Sequence, residues 1–176
     1  MRKVKKDGAR GIESLREAAL YLLGYRARSC HELRERLSGK GFAESDVDEL
    51  IERFTEVGLL DDARFARDFI RYHVRTHPLG RFGLLRELRI KGIADELAKK
   101  VMDDELSPDA EVELATDIVK RILNHKLDFK SKYKKAVGYL SRRGFSTHAI
   151  NMVQAIILKN REFEEFPEEI TETRED

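Results

Sequence analysis

Three stretches of the chain align without a gap: Lys40-Gly-Phe-Ala-Glu-Ser-Asp-Val47, Lys91-Gly-Ile-Ala-Asp-Glu-Leu-Ala98 and Arg143-Gly-Phe-Ser-Thr-His-Ala-Ile150. Their glycines, Gly41, Gly92 and Gly144, lie 51 and 52 residues apart, and a fixed period of that length indicates a repeat architecture. Leu37, Leu88 and Leu140 each stand four residues before the glycine, and Leu50, Val101 and Val153 each stand nine after it. One physical cause serves all three. A helix ends, glycine takes the left-handed position beyond it without a Cβ clash, the preceding cation meets the negative helix end, and the following apolar residue folds back on the last turn.

Working outward from these turns, apolar residues recur at helical spacing on both sides. Leu15, Ala18, Ala19, Leu22 and Leu23 form a first stripe. Leu33 and Leu37 precede Gly41, and Val47, Leu50, Ile51, Phe54 and Val57 follow it until Gly58. Asp61 is the expected N-cap of a stripe through Phe65, Ala66, Phe69, Ile70 and His73 that Pro78 ends. Leu84, Leu85 and Leu88 come before Gly92, with Leu97, Ala98, Val101, Met102 and Leu106 after it. Ser107 and Pro108 open a helix through Leu114, Ala115, Ile118, Val119 and Ile122. Tyr133, Ala136, Val137 and Leu140 lead to Gly144, and Ile150, Val153, Ile156 and Ile157 complete the series. No segment alternates with period two, so no sheet is expected. The predicted fold is all-α, an elongated tandem array of three three-helix repeats. Its parts are a basic N-terminal tail over 1–10, repeats over 11–60, 61–107 and 108–160, and an acidic C-terminal tail over 161–176. A unit of about 50 residues is near the lower limit of independent stability, so burial between neighbours matters and the units should form a row.

The 176 residues carry 34 basic and 33 acidic side chains, a formal +1, with 41% hydrophobic and 38% charged residues. That leaves enough apolar material for a core beneath a large wetted surface. No apolar run is long enough for a membrane span and the basic N-terminus lacks a secretion signal, so the chain is expected in the cytosol. Cys30, the only cysteine, forbids an internal disulfide and a multi-cysteine zinc site. The small total charge hides opposite blocks: residues 44–62 carry −7 and residues 120–143 carry +8. Two such blocks in one body suit a mixed partner, one region facing phosphate and the other basic protein.

Catalytic patterns are absent. His73 and His77 are four apart, but no glutamate follows His73 in an H-E-x-x-H arrangement, and His73 is read as packing on its apolar stripe. Cys30 follows a good N-cap, Ser29, which places the thiol in a first turn where a thiolate is favoured, yet no base is arranged for it. Gly39-Lys40-Gly41 and Gly80 to Gly83 lack the remainder of a phosphate loop and read as helix punctuation. Asp61 and Asp62 are read as capping residues. No cofactor and no metal are expected. The basic positions are more informative: Arg81, Arg86, Arg89 and Lys91 lie on or beside the helix before Gly92, and Lys130, Lys132, Lys134, Lys135, Arg142 and Arg143 surround the helix before Gly144. If those helices are parallel, the cations form a stripe that contacts phosphate without reading sequence. Tyr133 and Tyr139 interleave with the lysines as candidates for base stacking, although Tyr133 is more simply read as a core residue. Glu44, Asp46, Asp48, Glu49 and Glu52 form the candidate protein-facing acidic helix.

The succession Arg28-Ser29, Glu32-Leu33, Leu37, Lys40-Gly41-Phe42; Gly58, Asp61-Asp62, Phe65-Ala66; Pro78, Gly80, Glu87-Leu88, Lys91-Gly92-Ile93; Leu140, Arg142-Arg143-Gly144-Phe145-Ser146 resembles the RecX family of bacterial recombinase regulators. The match runs from about Leu15 to Leu158, with Lys132 standing where the first unit has Ser29 and the second Gly80. The resemblance implies three tandem three-helix units that bind the RecA recombinase, particularly its filament on DNA, and modulate it. The usual sense is inhibition of ATP hydrolysis, strand exchange and co-protease activity. The expected partners are therefore the RecA filament and, through nonspecific phosphate contacts, DNA; a monomer and no membrane association are expected. The competing reading is a sequence-nonspecific DNA-binding protein that acts by competition for DNA.

Overall fold

The computed structural model describes the backbone of residues 4–123 and 129–164 and the side chains of residues 11–122, 133–157 and 159. Among these residues there are nine helices and no strand: α1 (Val4–Tyr25), α2 (Cys30–Ser38), α3 (Glu44–Glu56), α4 (Asp62–Thr76), α5 (Arg81–Ile90), α6 (Asp95–Glu105), α7 (Pro108–Leu123), α8 (Phe129–Arg142) and α9 (Thr147–Glu164). Helix α1 starts at Val4, inside the stretch expected as a tail, and α9 runs four residues past 160. The acidic residues 165–176 lie outside the described residues.

The local signals act as anticipated. Ser29 accepts the Glu32 N–H at 3.0 Å, Asp61 the Arg64 N–H at 2.8 Å and Ser107 the Ala110 N–H at 3.2 Å, each satisfying a helix-start donor. Gly41, Gly92 and Gly144 all have positive φ, at 88°, 74° and 73°. The residue after each glycine donates its N–H to the aligned leucine carbonyl: Phe42 to Leu37 at 3.5 Å, Ile93 to Leu88 at 3.0 Å and Phe145 to Leu140 at 3.1 Å. The sequence alignment is therefore an alignment of one helix-ending motif made three times. Lys132 does not cap α8, which begins three residues earlier.

Each trio of helices encloses its own core. Leu15, Leu33, Leu37, Val47 and Phe54 close the first, Ile70, Leu84, Leu88, Val101 and Met102 the second, and Val119, Ala136, Leu140, Phe145 and Val153 the third. Every helix pair that packs extensively lies within one trio. The trios are joined in chain order at two junctions.

Two junctions of the same design join the units. At the first, the start of α2 docks on the end of α5: Ser29 Oγ donates to the Lys91 carbonyl at 2.5 Å, and a Cβ on Gly92 would overlap the His31 side chain. Asp62, from the first turn of α4, accepts the Cys30 N–H at 2.9 Å. At the second, the start of α5 docks on the end of α8: the Gly80 N–H donates to the Arg143 carbonyl at 3.0 Å and the Gly83 N–H to the Gly144 carbonyl at 3.2 Å. Glu111, from the first turn of α7, accepts the Arg81 N–H at 2.7 Å. The middle helices α8, α5 and α2 thus stand end to end, each negative C-terminus against a positive N-terminus, which is favourable for their dipoles.

Glu32 joins the first junction through its side chain, accepting Lys91 Nζ at 2.7 Å and both terminal nitrogens of Arg26 at 3.0 Å. Burial alone would raise its pKa; the hydrogen bonds from Arg26 and Lys91 more than offset this and hold the carboxyl at about 2, below its ordinary 4.5. A depressed carboxyl contributes stability that is complete above its unfolded pKa and is lost as the folded pKa is approached from above. The chain is therefore expected to lose stability between pH 4.5 and pH 2, and Glu32→Gln to lose less over that window, measured as urea midpoints at the two ends. A variant as acid-sensitive as the parent would contradict this assignment.

Candidate functional site

The row of middle helices makes one outer edge, and the basic residues expected to face phosphate divide there into two groups. Arg81 is only 19% exposed. Its guanidinium donates to the Leu106 carbonyl and pairs with Asp103, tying α5 to the end of α6. Lys91 is spent on Glu32 across the first junction. Arg143 donates from Nε to the Pro78 carbonyl and from a terminal nitrogen to the His77 carbonyl, both at 2.9 Å, with its guanidinium carbon 5.9 Å from the centre of the Tyr139 ring. Lys91 and Arg143 hold neighbouring units together, and Arg81 ties α5 to α6 within the middle unit. They are not disposed as free phosphate contacts, because a guanidinium already satisfied by carbonyls and a carboxylate gains little from another anion.

Of the remaining cations, those with described side chains are exposed. Lys134, Lys135 and Arg142 are exposed on α8, with no ion pair to any described residue. Arg86 is 60% exposed, its nearest carboxylate oxygen, on Glu87, being 3.6 Å away. Arg89 is exposed but held by a two-pronged bond to Asp95 at 3.0 and 2.9 Å. Lys130 and Lys132 belong to α8, with side chains outside the described residues. Tyr139 packs against the third core and Tyr133 is half-buried, so neither ring forms an open stacking platform.

The acidic residues lie on α3, all five exposed. Glu44, Asp48 and Glu52 follow at four-residue steps down one face, with Glu49 beside them. Asp48 takes Arg34 at 2.7 Å and Glu49 takes Arg53 at 2.6 Å. Glu44 and Asp46 occupy the first turn, where negative charge is favoured by the helix dipole.

His73 packs its ring 4.5 Å from Phe69, its Nδ1 lies 3.3 Å from the His77 carbonyl, and no group of three metal-ligating side chains occurs among the described residues. The expectation of a favoured thiolate at Cys30 is corrected: burial pushes the thiol pKa up, and the neighbouring Asp62 carboxylate adds to the rise. Among the described residues no helix is long and apolar enough to cross a membrane.

Sequence reasoning missed the buried carboxylate of Glu111, which is 0% exposed. Besides the Arg81 amide it accepts the Ser146 N–H at 3.1 Å and the Ser146 hydroxyl at 2.6 Å, so that one side chain caps α5 and holds Ser146, whose own hydroxyl oxygen accepts the Ala149 N–H at the start of α9. It also missed the outward apolar residues Phe82 and Ile90 on α5, 62% and 63% exposed. The available signal was the repeat register. Phe82 and Ile90 align with His31 and Gly39 in one neighbour and with Lys134 and Arg142 in the other, polar or small where these are large and apolar.

Comparison with known proteins gives a consistent result. Residues 16–54 match the family model of the first three-helix domain of RecX, and residues 61–102 that of the second. The regulatory protein RecX of Prosthecochloris aestuarii is 32% identical over 142 residues, spanning 81% of this chain and 92% of the relative. That of Amycolatopsis mediterranei is 33% identical over 132 residues, spanning 74% and 75%. The crystal structure of RecX from Lactobacillus salivarius superposes with a TM-score of 0.68 at 26% identity, covering 85% of this chain and 99% of that one. A second crystal structure, of regulatory protein RecX, gives 0.75 at 20% identity and supports the fold alone.

Proposed function

Because this chain belongs to the RecX family of regulatory proteins, we propose that it binds the RecA recombinase filament on DNA and inhibits its ATP hydrolysis, strand exchange and co-protease activity. The observation that carries this reading is the end-to-end row of α8, α5 and α2. A row of repeats offers a long contact edge matched to a polymeric partner. Laid along the filament groove, it bridges neighbouring protomers and holds them in a fixed relation. A filament that must change its spacing to turn over ATP or to admit a second duplex is then slowed, and the groove is obstructed.

In this reading the exposed cations of α8 lie near DNA and the acidic face of α3 lies against basic protein surface. Charges so placed govern encounter rate and register. Reversing Lys132, Lys134 and Lys135 together to Glu is expected to weaken inhibition and to flatten the logarithmic salt dependence by about 2, near 0.7 per lost phosphate contact on a single strand. Inhibition unchanged across salt would remove the DNA-facing part of the proposal.

The second reading, a DNA-binding protein that only competes for DNA, draws on the same exposed Lys134, Lys135 and Arg142, which pair with no described carboxylate. Co-precipitation separates the two. Recovery with purified recombinase in the absence of DNA supports the filament regulator; recovery only with DNA supports the competitor.

A further inference from the structure

We infer that the outward face of α5, formed by Phe82, Arg86, Arg89 and Ile90, is the anchor that holds the protein partner, and that it fits an apolar patch bearing a carboxylate. This rests on the recombinase-binding reading above. At 100° per residue these four positions fall within an arc of about 100° on one side of the helix. Phe82 and Ile90 are nearly two-thirds exposed, and neither packs against the core of the middle unit. Folding therefore does not account for them. Nor does the repeat, since its other two copies place His31 and Gly39 or Lys134 and Arg142 at the same register. The apolar pair is a property of the middle helix of the middle unit, which puts it at the centre of the docking edge. Protein interfaces concentrate their binding energy at such central positions, in aromatic residues and arginine above all.

Charge selects a protein over a nucleic acid as the occupant. Arg86, Glu87, Arg89 and Asp95 sum to no net charge, and Arg89 is already neutralised by Asp95, so this face has little to offer phosphate. Arg86 differs. Its contact to Glu87, at 3.6 Å, exceeds hydrogen-bond length, which leaves an exposed guanidinium between two apolar side chains, ready for two-pronged pairing with a carboxylate. The basic edge is thereby divided, with α8 for phosphate and α5 for protein.

Binding to immobilised recombinase without DNA, at low and high salt, tests the division. The double variant Phe82→Ala/Ile90→Ala is expected to lose affinity roughly tenfold or more at both salt concentrations. Its melting temperature and its binding to single-stranded DNA should be unchanged, as suits exposed side chains. Arg86→Ala should lose affinity for recombinase in the same assay, and Lys134→Glu/Lys135→Glu should retain it while losing affinity for DNA. Parental binding with undiminished binding by the double variant would overturn the anchor while leaving the proposed function intact. Absence of parental binding would overturn both, and a double variant that loses DNA as well would overturn the assignment to protein.

Discussion

Replacing Gly144 by Ala is expected to part the second unit from the third, lowering stability by about 3 kcal/mol or more and the melting temperature by roughly 6–12 °C. Gly144 has φ +73°, and an added Cβ would overlap the backbone nitrogen and Cα of Gly83 and come within 3.2 Å of the Phe82 carbonyl carbon. The left-handed backbone alone costs an alanine about 1–2 kcal/mol. The overlap adds to this because its partner is backbone, which cannot turn aside as a side chain can. Any retreat of α5 stretches the 3.2 Å bond from Gly83 to the Gly144 carbonyl. Gly41 supplies the internal comparison: its φ is +88°, but nothing lies within 4 Å of an added Cβ, so Gly41→Ala should cost only the backbone strain of about 1–2 kcal/mol. Thermal unfolding of the two variants side by side checks this. Equal losses would mean that the close approach at the second junction contributes nothing.

Glu111→Ala should be of similar size, about 3 kcal/mol, by stranding two backbone donors and one hydroxyl in a buried place. The carboxylate is fully buried and its three bonds come from two helix starts, so its removal uncaps α5 and releases Ser146, the capping residue of α9. Asp62→Ala removes one comparable bond at the first junction, from the Cys30 N–H, and is expected to cost about 1 kcal/mol. Glu111→Gln, which keeps an acceptor of the same shape, should lose less than the alanine. Urea denaturation with amide exchange at Arg81 and Ser146 reads both magnitude and location. A loss below about 1 kcal/mol would show that solvent replaces the carboxylate freely.

The fold was legible because its causes are local. A glycine after a leucine four residues back, a capping Ser29, Asp61 or Ser107, and a stripe such as Val47, Leu50, Ile51 and Phe54 each act within a few turns of the residue concerned. The junctions were not legible, because their partners lie 30 to 66 residues apart and no local pattern pairs Glu111 with Arg81 or Arg143 with His77. Hence the three cations Arg81, Lys91 and Arg143, which read as surface charge, are fixed to carbonyls and carboxylates between and within units. Cys30 failed for a related reason: its position in the first turn is local, but its burial is tertiary. Helix α1 begins before its apolar stripe does, so the charged residues from Val4 onward read as a tail. Phe82 and Ile90 were visible as letters, yet only exposure reveals that they serve no core.

The central claim, that the row acts on the filament and not on free DNA, is tested most directly by the recombinase's ATP hydrolysis on single-stranded DNA held in large excess over the added chain. Hydrolysis is expected to fall while most of the DNA is still unoccupied by the chain, and further DNA is expected not to restore it. Hydrolysis that falls only once the DNA is saturated, and recovers when more is supplied, would contradict it.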